Sequence, residues 1–547
     1  MKTKYSNIAF VFVIILGLNF ISSKIYNRID LTEDQRYTIA EPTKKIISKI
    51  ADVLIINVYL EGDFPAEFKR LQTETKLHLE ELKAINKNIH FKFINPTDIS
   101  EDLIKGGLEP SSLQVQENGK LSELLLFPYA VLNYKDKTVQ IPLLKDSYSN
   151  SQDDQLESSI QNLEYAFADA IFKLTSNKSK KIAIIKGNGE LQDIYIADFL
   201  RELSPYYLLA PFTLDSVALQ PQKTLYQLSQ FDMAIIAKPT EKFSEQEKYT
   251  LDQFIMNGGK SVWLVDAVQA ELDSLQQTGE SLAYPRDLGL TDLFFNYGVR
   301  INTQLVEDLY CAQIPIATGN VGNKTQFNQF PWRFYPLLHS QNNHPINNNI
   351  APVLSKFSTH IDTLKNDIDK TILLQSSPFT KLIGTPDIIS LKSIVDEPNK
   401  KEYSNGNQPI AVLLEGKFKS AYNGRVKPFQ LMKPVEKGIH NQLIVIADGD
   451  IIANEISKGT PLELGVDKWT NQQFGNKEFI LNAVNYLLDD SGLIHLRSKN
   501  IKINFLDKEK AYSEASKWQL INLIFPLVFL VIFGIVFTSF QKKKYTK

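Results

Sequence analysis

Four acidic residues have types and positions that could do chemistry. Each follows an apolar run of the kind that forms a buried strand: Glu190, Asp266, Asp448 and Asp450. Ligands of open α/β sheets bind beyond the carboxyl ends of the strands, so the positions of these side chains make them candidates for ligand binding. Together they could hold a cation or act as acid and base. The same residue types form turns and cap helices, and this interpretation is favoured because no spacing fixes their convergence.

Motifs for other kinds of catalysis are missing. Gly187 and Gly189 lack the third glycine of a dinucleotide-binding loop, and there is no Walker A sequence for ATP. The seven histidines are scattered without metal-ligand spacing. The single cysteine, Cys311, is more typical of a small buried residue than of a nucleophile. The sequence therefore predicts a non-enzyme without cofactor, metal or catalytic residues.

Alternating strands and helices position the four carboxylates. Strands are predicted at 182–185, 231–237, 261–265 and 442–447. The first, third and fourth of these are each followed by a loop that contains one or two of the four acidic residues. Helices are predicted over 194–203, 245–256 and 479–488, the second opened by the capping-box pair Ser244 and Glu247. Helices between parallel strands predict an α/β domain over 181–500 with an open, doubly wound sheet. A β-rich insertion is expected at about 268–440.

The region before this domain has a different order of elements. Residues 25–150 contain a strand, a helix, a strand, a short helix and a hairpin, the order of a thioredoxin-like domain. No C-x-x-C pair is present, so redox chemistry is excluded and a binding or structural module is expected. Residues 151–180 are interpreted as a linker with an amphipathic packing helix.

Both ends of the chain carry apolar segments. Residues 520–537 contain no charge and would form about 27 Å of helix, enough to cross a bilayer. We predict a juxtamembrane segment at 501–517, a transmembrane helix at 518–540 and a basic cytoplasmic tail at 541–547, because lysines beyond a span favour the cytoplasm.

The N-terminal 24 residues are predicted to be a membrane anchor. The apolar run at 8–21 is short enough for a signal peptide, but the residues after it make poor cleavage sites, so an uncleaved anchor is favoured. Either version places the main body in the periplasm of a bacterium, at the inner membrane. With both anchors retained, both termini are cytoplasmic.

Composition limits the partners. Lys and Arg total 60 against 62 Asp and Glu, so the near-balanced charge does not indicate nucleic acid. A single cysteine excludes an intrachain disulfide. An exported protein of this size can be stable without one if its hydrophobic core is large, as in a bacterial periplasm. The expected partners are the lipid bilayer and other membrane proteins, with a small polar ligand left open.

Several long segments resemble the GldG-type gliding-motility proteins. They include "GNGE", "FDMAIIAKPTEKFSEQEKYTLDQFIMNGGKSVWLVDAV", "LYCAQIPIATGN", "QFPWRFYPLL", "IVIADGDIIANE" and "NAVNYLLDDSGLIHLRSK". The resemblance implies an auxiliary or substrate-binding component of a bacterial ABC transporter, with permease and ATPase subunits as partners and a link to gliding motility. It also implies a flavodoxin- or amidotransferase-like α/β domain, related to an intraflagellar-transport fold. It supplies no ligand residues.

Three functions follow from these observations. The first is a non-catalytic scaffold or adaptor that assembles with a transporter. The second is a periplasmic protein that binds a solute or carbohydrate over the strand ends. The third is a hydrolase that uses the loop carboxylates.

Overall fold

The computed structural model describes residues 38–62, 64–117, 120–145, 152–176, 178–321, 324–340, 342–498 and 508–545. Its contacts divide the chain into two units, residues 1–500 and 501–547, and each unit is described by itself. The predicted N-terminal anchor at 1–24 lies outside the described residues.

The α-helices are numbered in chain order. In the first unit they are α1 Glu41–Ile47, α2 Ala66–Ile85, α3 Ser100–Lys105, α4 Gln152–Thr175, α5 Ala197–Leu203, α6 Pro221–Leu228, α7 Glu245–Met256, α8 Leu272–Thr278, α9 Thr291–Tyr297 and α10 Asn476–Leu488. In the second unit they are α11 Lys508–Ser513 and α12 Ala515–Tyr545. Short 3-10 helices include Asp450–Ile452 and Leu493–Ser498.

The strands are numbered in the same way. Those of the N-terminal region and the first part of the central sheet are β1 Leu54–Val58, β2 Ile89–Phe93, β3 Ser111–Glu117, β4 Lys120–Leu126, β5 Tyr129–Tyr134, β6 Lys137–Pro142, β7 Lys181–Lys186, β8 Leu208–Thr213, β9 Met233–Ala237 and β10 Lys260–Leu264. The next are β11 Val268–Gln269, β12 Glu280–Pro285, β13 Val299–Asp308, β14 Cys311–Val321, β15 Lys324–Leu338, β16 Val353–Leu354, β17 Thr359–Thr363, β18 Asp369–Gln375, β19 Thr380–Ile383 and β20 Asp387–Ser390. The last are β21 Pro409–Lys419, β22 Lys437–Ile446, β23 Ile456–Ser457 and β24 Thr460–Pro461.

The N-terminal region forms a four-stranded sheet in the order β2-β1-β5-β6. Strand β1 pairs parallel with β2 and antiparallel with β5, and β5 and β6 form the hairpin. Helices α2 and α4 pack against each other. The first strands, helices and hairpin thus occur in the predicted order, while the thioredoxin-like assignment itself stays a prediction.

The central sheet has seven strands in the order β18-β21-β22-β10-β9-β7-β8. The five strands from β22 to β8 are parallel. In β7, β9, β10 and the second half of β22 most residues are apolar and buried on both faces, which is why these runs are continuous rather than alternating. Strand β8, at the edge of the sheet, is only half-buried. One face packs against α5 and α10, and the other packs against α6, α7 and α9. The mixed α/β class is as predicted.

The interval expected to be an insertion is only partly outside this sheet. Strands β18 and β21 lie within 268–440 and form the antiparallel end of the central sheet. The prediction of an insertion outside the central sheet is wrong for these strands. A buried apolar run such as 410–414 can pair with the central sheet even though it lies far along the chain from the other strands. The rest of the interval forms three small sheets, β11-β12-β20, β17-β13-β19 and β14-β15-β16.

The first and last described elements of the large unit are neighbours. Helix α1 contacts the 3-10 helix Leu493–Ser498. A Cβ placed on Gly492 would lie 3.5 Å from Cγ of Pro42. The chain therefore enters and leaves the described part of this unit at adjoining positions.

Helix α12 is the one candidate membrane span among the described residues. The most apolar 18-residue window of its segment Ala515–Lys543 has a mean hydropathy of 2.9, and none of that window is buried. Pro526 lies inside the helix, where a missing backbone donor is tolerated in spans. A helix this long and apolar is consistent with membrane association.

Gly475, which precedes α10, permits a close backbone approach. Its φ of −75° suits any residue, but a Cβ would overlap the carbonyl group of Ala351. We expect Gly475→Ala to destabilise the fold by about 1–3 kcal/mol, because backbone atoms cannot move aside as side chains do. A thermal unfolding midpoint measures this. Gly384→Ala is the control, since a Cβ there meets nothing within 4 Å, and equal midpoints for the two variants would contradict the prediction.

Candidate functional site

Three of the four predicted carboxylates meet at the carboxyl end of the central sheet. Strands β10 and β22 are parallel neighbours, so the residues that follow them emerge at the same edge. One carboxylate oxygen each from Asp266, Asp448 and Asp450 lies within 4.8 Å of the others. Asp448 is fully buried and Asp266 nearly so. We call these three residues the aspartate cluster.

Glu190 is not part of the aspartate cluster. It lies in the loop after β7, where its Oε2 accepts a hydrogen bond of 2.8 Å from the backbone N–H of Asn188. Burial is the main cause that raises the pKa of Glu190. The sequence placed this residue correctly after a strand, but β9 lies between its strand and β10, which carries Asp266.

A lysine occupies the position that a cation would take. Lys238 follows β9 in a left-handed conformation, with φ of +53°. Its Nζ lies 2.7 and 2.8 Å from the two carboxylate oxygens of Asp450, 3.5 Å from Oδ2 of Asp266 and 3.1 Å from Oε1 of Glu271. Burial lowers the pKa of Lys238, but these three carboxylates outweigh burial and raise it above its ordinary value. The ammonium group therefore stays charged and offsets part of the negative charge of the cluster.

The remaining carboxylate oxygens accept hydrogen bonds from the protein. Oδ2 of Asp448 accepts from the Ser355 hydroxyl at 2.6 Å and from the Lys356 backbone N–H at 2.8 Å, and Oδ1 accepts from the Asp450 N–H at 2.7 Å. Oδ1 of Asp266 accepts from the Gly449 N–H at 2.5 Å. These bonds connect the sheet edge to the β16–β17 loop, so the cluster holds separate segments together.

Residue 449 must be a glycine because of the neighbouring Lys238 side chain, and not because of its own backbone conformation. Its φ is −78°, which any residue adopts. A Cβ at this position would overlap the Cβ and Cγ of Lys238. The Asp-Gly-Asp sequence at 448–450 thus combines two acceptors with the space that the lysine stem needs.

The chemistry open to this site is narrow. Burial, followed by the charges of Asp450 and Asp266, raises the pKa of Asp448 to about 8, a value that would suit a general acid. The side chain is fully buried, however, and three internal donors use its oxygens. Carboxylate oxygens suit a hard cation such as Ca²⁺, but the Lys238 ammonium competes for the same position. The arrangement works best as a structural ion network.

Cys311 offers no alternative nucleophile. It begins β14 and is half-buried. Burial, and then the charge of Asp308, raises the pKa of its thiol to about 12, so the reactive thiolate is scarce at neutral pH.

Cavities of several hundred Å³ lie away from the aspartate cluster. One of about 480 Å³ is lined by Lys180, Asp232 and Lys260, which stand at the amino ends of β7, β9 and β10. Two others, of about 490 and 450 Å³, are both lined by residues of α4 and α10. Space for a ligand is therefore found at positions that differ from the carboxyl-end site predicted from the sequence.

Sequence reasoning missed the partners of the carboxylates. Lys238 was visible only as a loop residue after an apolar strand, and it is 212 residues from Asp450. Ser355 and Lys356 stand in the interval that the sequence assigned to an insertion. Only the strand order brings these residues together, and no local motif marks them.

Family models match two parts of this chain. Residues 179–483 match the model of a family described as an ABC-type uncharacterized transport system. Residues 33–133 match a family described as a domain of unknown function. The first match includes all seven strands of the central sheet and the aspartate cluster.

Two individual proteins are also similar. An uncharacterized protein of Borreliella burgdorferi is 22% identical over 98% of this chain and 97% of its own length. A solved structure, the mmIFT52 N-terminal domain, is 14% identical, with a TM-score of 0.31 over 57% of this chain and 98% of its own. A TM-score this low supports no inference about fold or function.

Proposed function

Because the chain belongs to the auxiliary-component family of an ABC-type transport system, we propose that it is a membrane-anchored, non-catalytic subunit of a bacterial ABC transporter. The observation that carries the proposal is the family match over 179–483, which includes the whole central sheet. A transport-associated accessory protein does not itself need an ATPase site. The partners proposed are a multispan permease and an ATPase subunit, with gliding motility as the process served.

The proposed location is the inner membrane, with the large unit in the periplasm and both termini in the cytoplasm. Helix α12 supports this, since it is long and apolar enough to span a bilayer and its C-terminal end is rich in lysine. The apolar run at 8–21 would be the second anchor. For the soluble part we propose a thioredoxin-like N-terminal domain, supported by the sheet order β2-β1-β5-β6, and a flavodoxin-like central domain.

The non-catalytic role is supported by the state of the aspartate cluster. Its oxygens are used by Lys238, by Ser355 and by backbone N–H groups. A carboxylate-dependent hydrolase would need at least one of these groups free to reach a substrate. The hydrolase interpretation is accordingly the weakest of the three.

A periplasmic solute-binding protein remains the second candidate. The cavities of about 450 to 490 Å³ have the volume of ordinary small-molecule sites. Two of them are lined by Tyr206, whose ring could stack on a sugar ring. This function and the scaffold function are compatible if the bound solute is delivered to the transporter.

The test of the proposed function is co-purification from the native membrane. The tagged full chain, extracted in a mild detergent, is expected to bring down a multispan permease and an ATPase, identified by mass spectrometry. The control replaces α12 by an unrelated apolar span of equal length. This variant keeps the membrane attachment proposed for α12 but removes any specific packing of this helix against the permease. Recovery of no transporter subunit with the native chain would move the assignment to the solute-binding protein.

A further inference from the structure

The cavity of about 450 Å³ contains charged side chains from three separate segments. Lys145 follows β6, Glu478 lies in the first turn of α10, and Arg497 lies in the last 3-10 helix. Tyr165 of α4 also lines the cavity. The side chains of Lys145 and Arg497 are only 11% and 6% exposed. Buried cations of this kind require compensation by nearby anions.

The two cations share one carboxylate. Nζ of Lys145 lies 3.1 Å from Oε1 of Glu478, and Nη2 of Arg497 lies 3.6 Å from the same oxygen. Each of the other two lysines that line the cavity has acidic partners of its own: Lys173 pairs with Asp169, and Lys477 pairs with Glu463, Glu202 and Asp198. Among the described residues, the group formed by Lys145, Arg497 and Glu478 therefore carries one positive charge in excess.

Hydrogen-bond donors of this group are also unused. Nε of Arg497 is buried and has no acceptor among the described residues. Among the described residues, the ammonium of Lys145 donates to Glu478 and to the carbonyl of Asn349, which leaves its third N–H. The guanidinium carbon of Arg497 lies 4.9 Å from the ring centroid of Tyr165, so stacking on the ring leaves the edge of the guanidinium for an acceptor.

The electrostatics agree with a missing anion. Burial lowers the pKa of Lys145, and the charge of Arg497 lowers it further against the opposing effect of Glu478. An added anion between the two cations would reverse this shift. A second void beside Arg497, of about 10 Å³, has room for no more than one water molecule, so any ligand must occupy the larger cavity.

We propose that this cavity binds a small organic carboxylate, with its carboxylate group between Lys145 and Arg497. A monoanion matches the single uncompensated charge, whereas a dianionic phosphate would leave a buried negative charge. The apolar part of the ligand would contact the aliphatic lining, which includes Leu163, Ala170 and Leu481. This site is separate from the aspartate cluster, and it would exist whether or not the chain serves a transporter.

The test uses the full chain in lipid nanodiscs with three probes. Sodium benzoate supplies a carboxylate on an apolar ring, benzamide has the same shape without charge, and inorganic phosphate supplies a different anion. Saturation-transfer NMR and the thermal unfolding midpoint report binding, with sodium chloride at equal ionic strength as the baseline. We expect saturable binding of benzoate, and binding at least tenfold weaker for benzamide and phosphate.

Two kinds of variant keep the test decisive. Lys145→Gln and Arg497→Gln are expected to weaken benzoate binding about tenfold or more, because each removes a charge-assisted hydrogen bond. Glu478→Gln is expected to strengthen it about tenfold, because it removes the carboxylate that competes for both cations. Arg300→Gln is the matched control on an exposed ion pair with Asp362. Equal responses to benzoate and benzamide, or a Glu478→Gln variant that binds benzoate no better than the native chain, would overturn the proposal.

Discussion

Replacing Lys238 by methionine is expected to lower the free energy of unfolding by about 3–5 kcal/mol, since it leaves buried carboxylates without their cation. Methionine keeps the length and apolar stem of lysine, so the change removes little besides the charge. The loss affects Asp450 and Asp266, whose oxygens lie 2.7 and 3.5 Å from Nζ. Denaturation of the full chain in micelles, followed by tryptophan fluorescence, measures the effect, because Trp263 is buried in the adjacent strand.

The control is a lysine of the same loop. Lys242 pairs with Asp287 at 2.5 Å, but both side chains are more than half exposed. Lys242→Gln is expected to leave the denaturation midpoint unchanged, as solvent screens such pairs. A similar loss for both variants would mean that the Lys238 network contributes no more than a surface ion pair.

Calcium provides a second readout of the same substitution. In Lys238→Met, Ca²⁺ is expected to restore part of the lost stability, because three carboxylate oxygens within 4.8 Å suit a hard cation. The native chain should show no such response, since its ammonium group holds that position. Equal stabilisation of the native chain by Ca²⁺ would show instead that the aspartate cluster is an ion site.

Removal of both apolar segments is expected to release the whole chain from the membrane. Deletion of residues 1–24 together with 515–547 should move the protein from the carbonate-washed membrane pellet to the soluble fraction. Each single deletion should leave it in the pellet, because one apolar span is enough for stable insertion. Release by deletion of 515–547 alone would contradict an uncleaved N-terminal anchor.

The orientation is tested on the intact chain. Protease added to spheroplasts is expected to digest the large unit, while a reporter fused after Lys547 stays on the cytoplasmic side, as the lysines that follow the apolar run 520–537 predict. A protected body with an accessible tail would reverse the proposed topology.

The sequence predicted four of the five parallel strands, because β7, β9, β10 and β22 each contain a continuous apolar run with a polar residue after it. It missed β8, which lies at the edge of the sheet and is only half-buried. That pattern arises when both faces of a strand are covered by helices, and it needs no knowledge of the neighbours. It placed Asp266, Asp448 and Asp450 at one edge of the sheet, since parallel strands end together. The order of the strands within the sheet cannot be read from this pattern. In the structure, that order places Glu190 away from the other three carboxylates.

The partners of the carboxylates could not be predicted in this way. The ion pair between Lys238 and Asp450 joins loops 212 residues apart, so its existence depends on the completed sheet. The place of strands β18 and β21 in the central sheet was hidden for a related reason. The runs 371–374 and 410–414 are strand-like in the sequence, but the sequence does not indicate which sheet such runs join. Charge compensation in a buried site is thus a property of topology rather than of local pattern.

The contact between α1 and the last 3-10 helix has a consequence for the chain's connectivity. Residues 42 and 492 are neighbours, so a short polar linker could join the two ends of the large unit. New ends could then be opened in the exposed turn at Lys135 and Asp136. A circular permutant of this kind would keep every sheet pairing described above. We therefore expect the packing of this unit to tolerate a change in which element comes first.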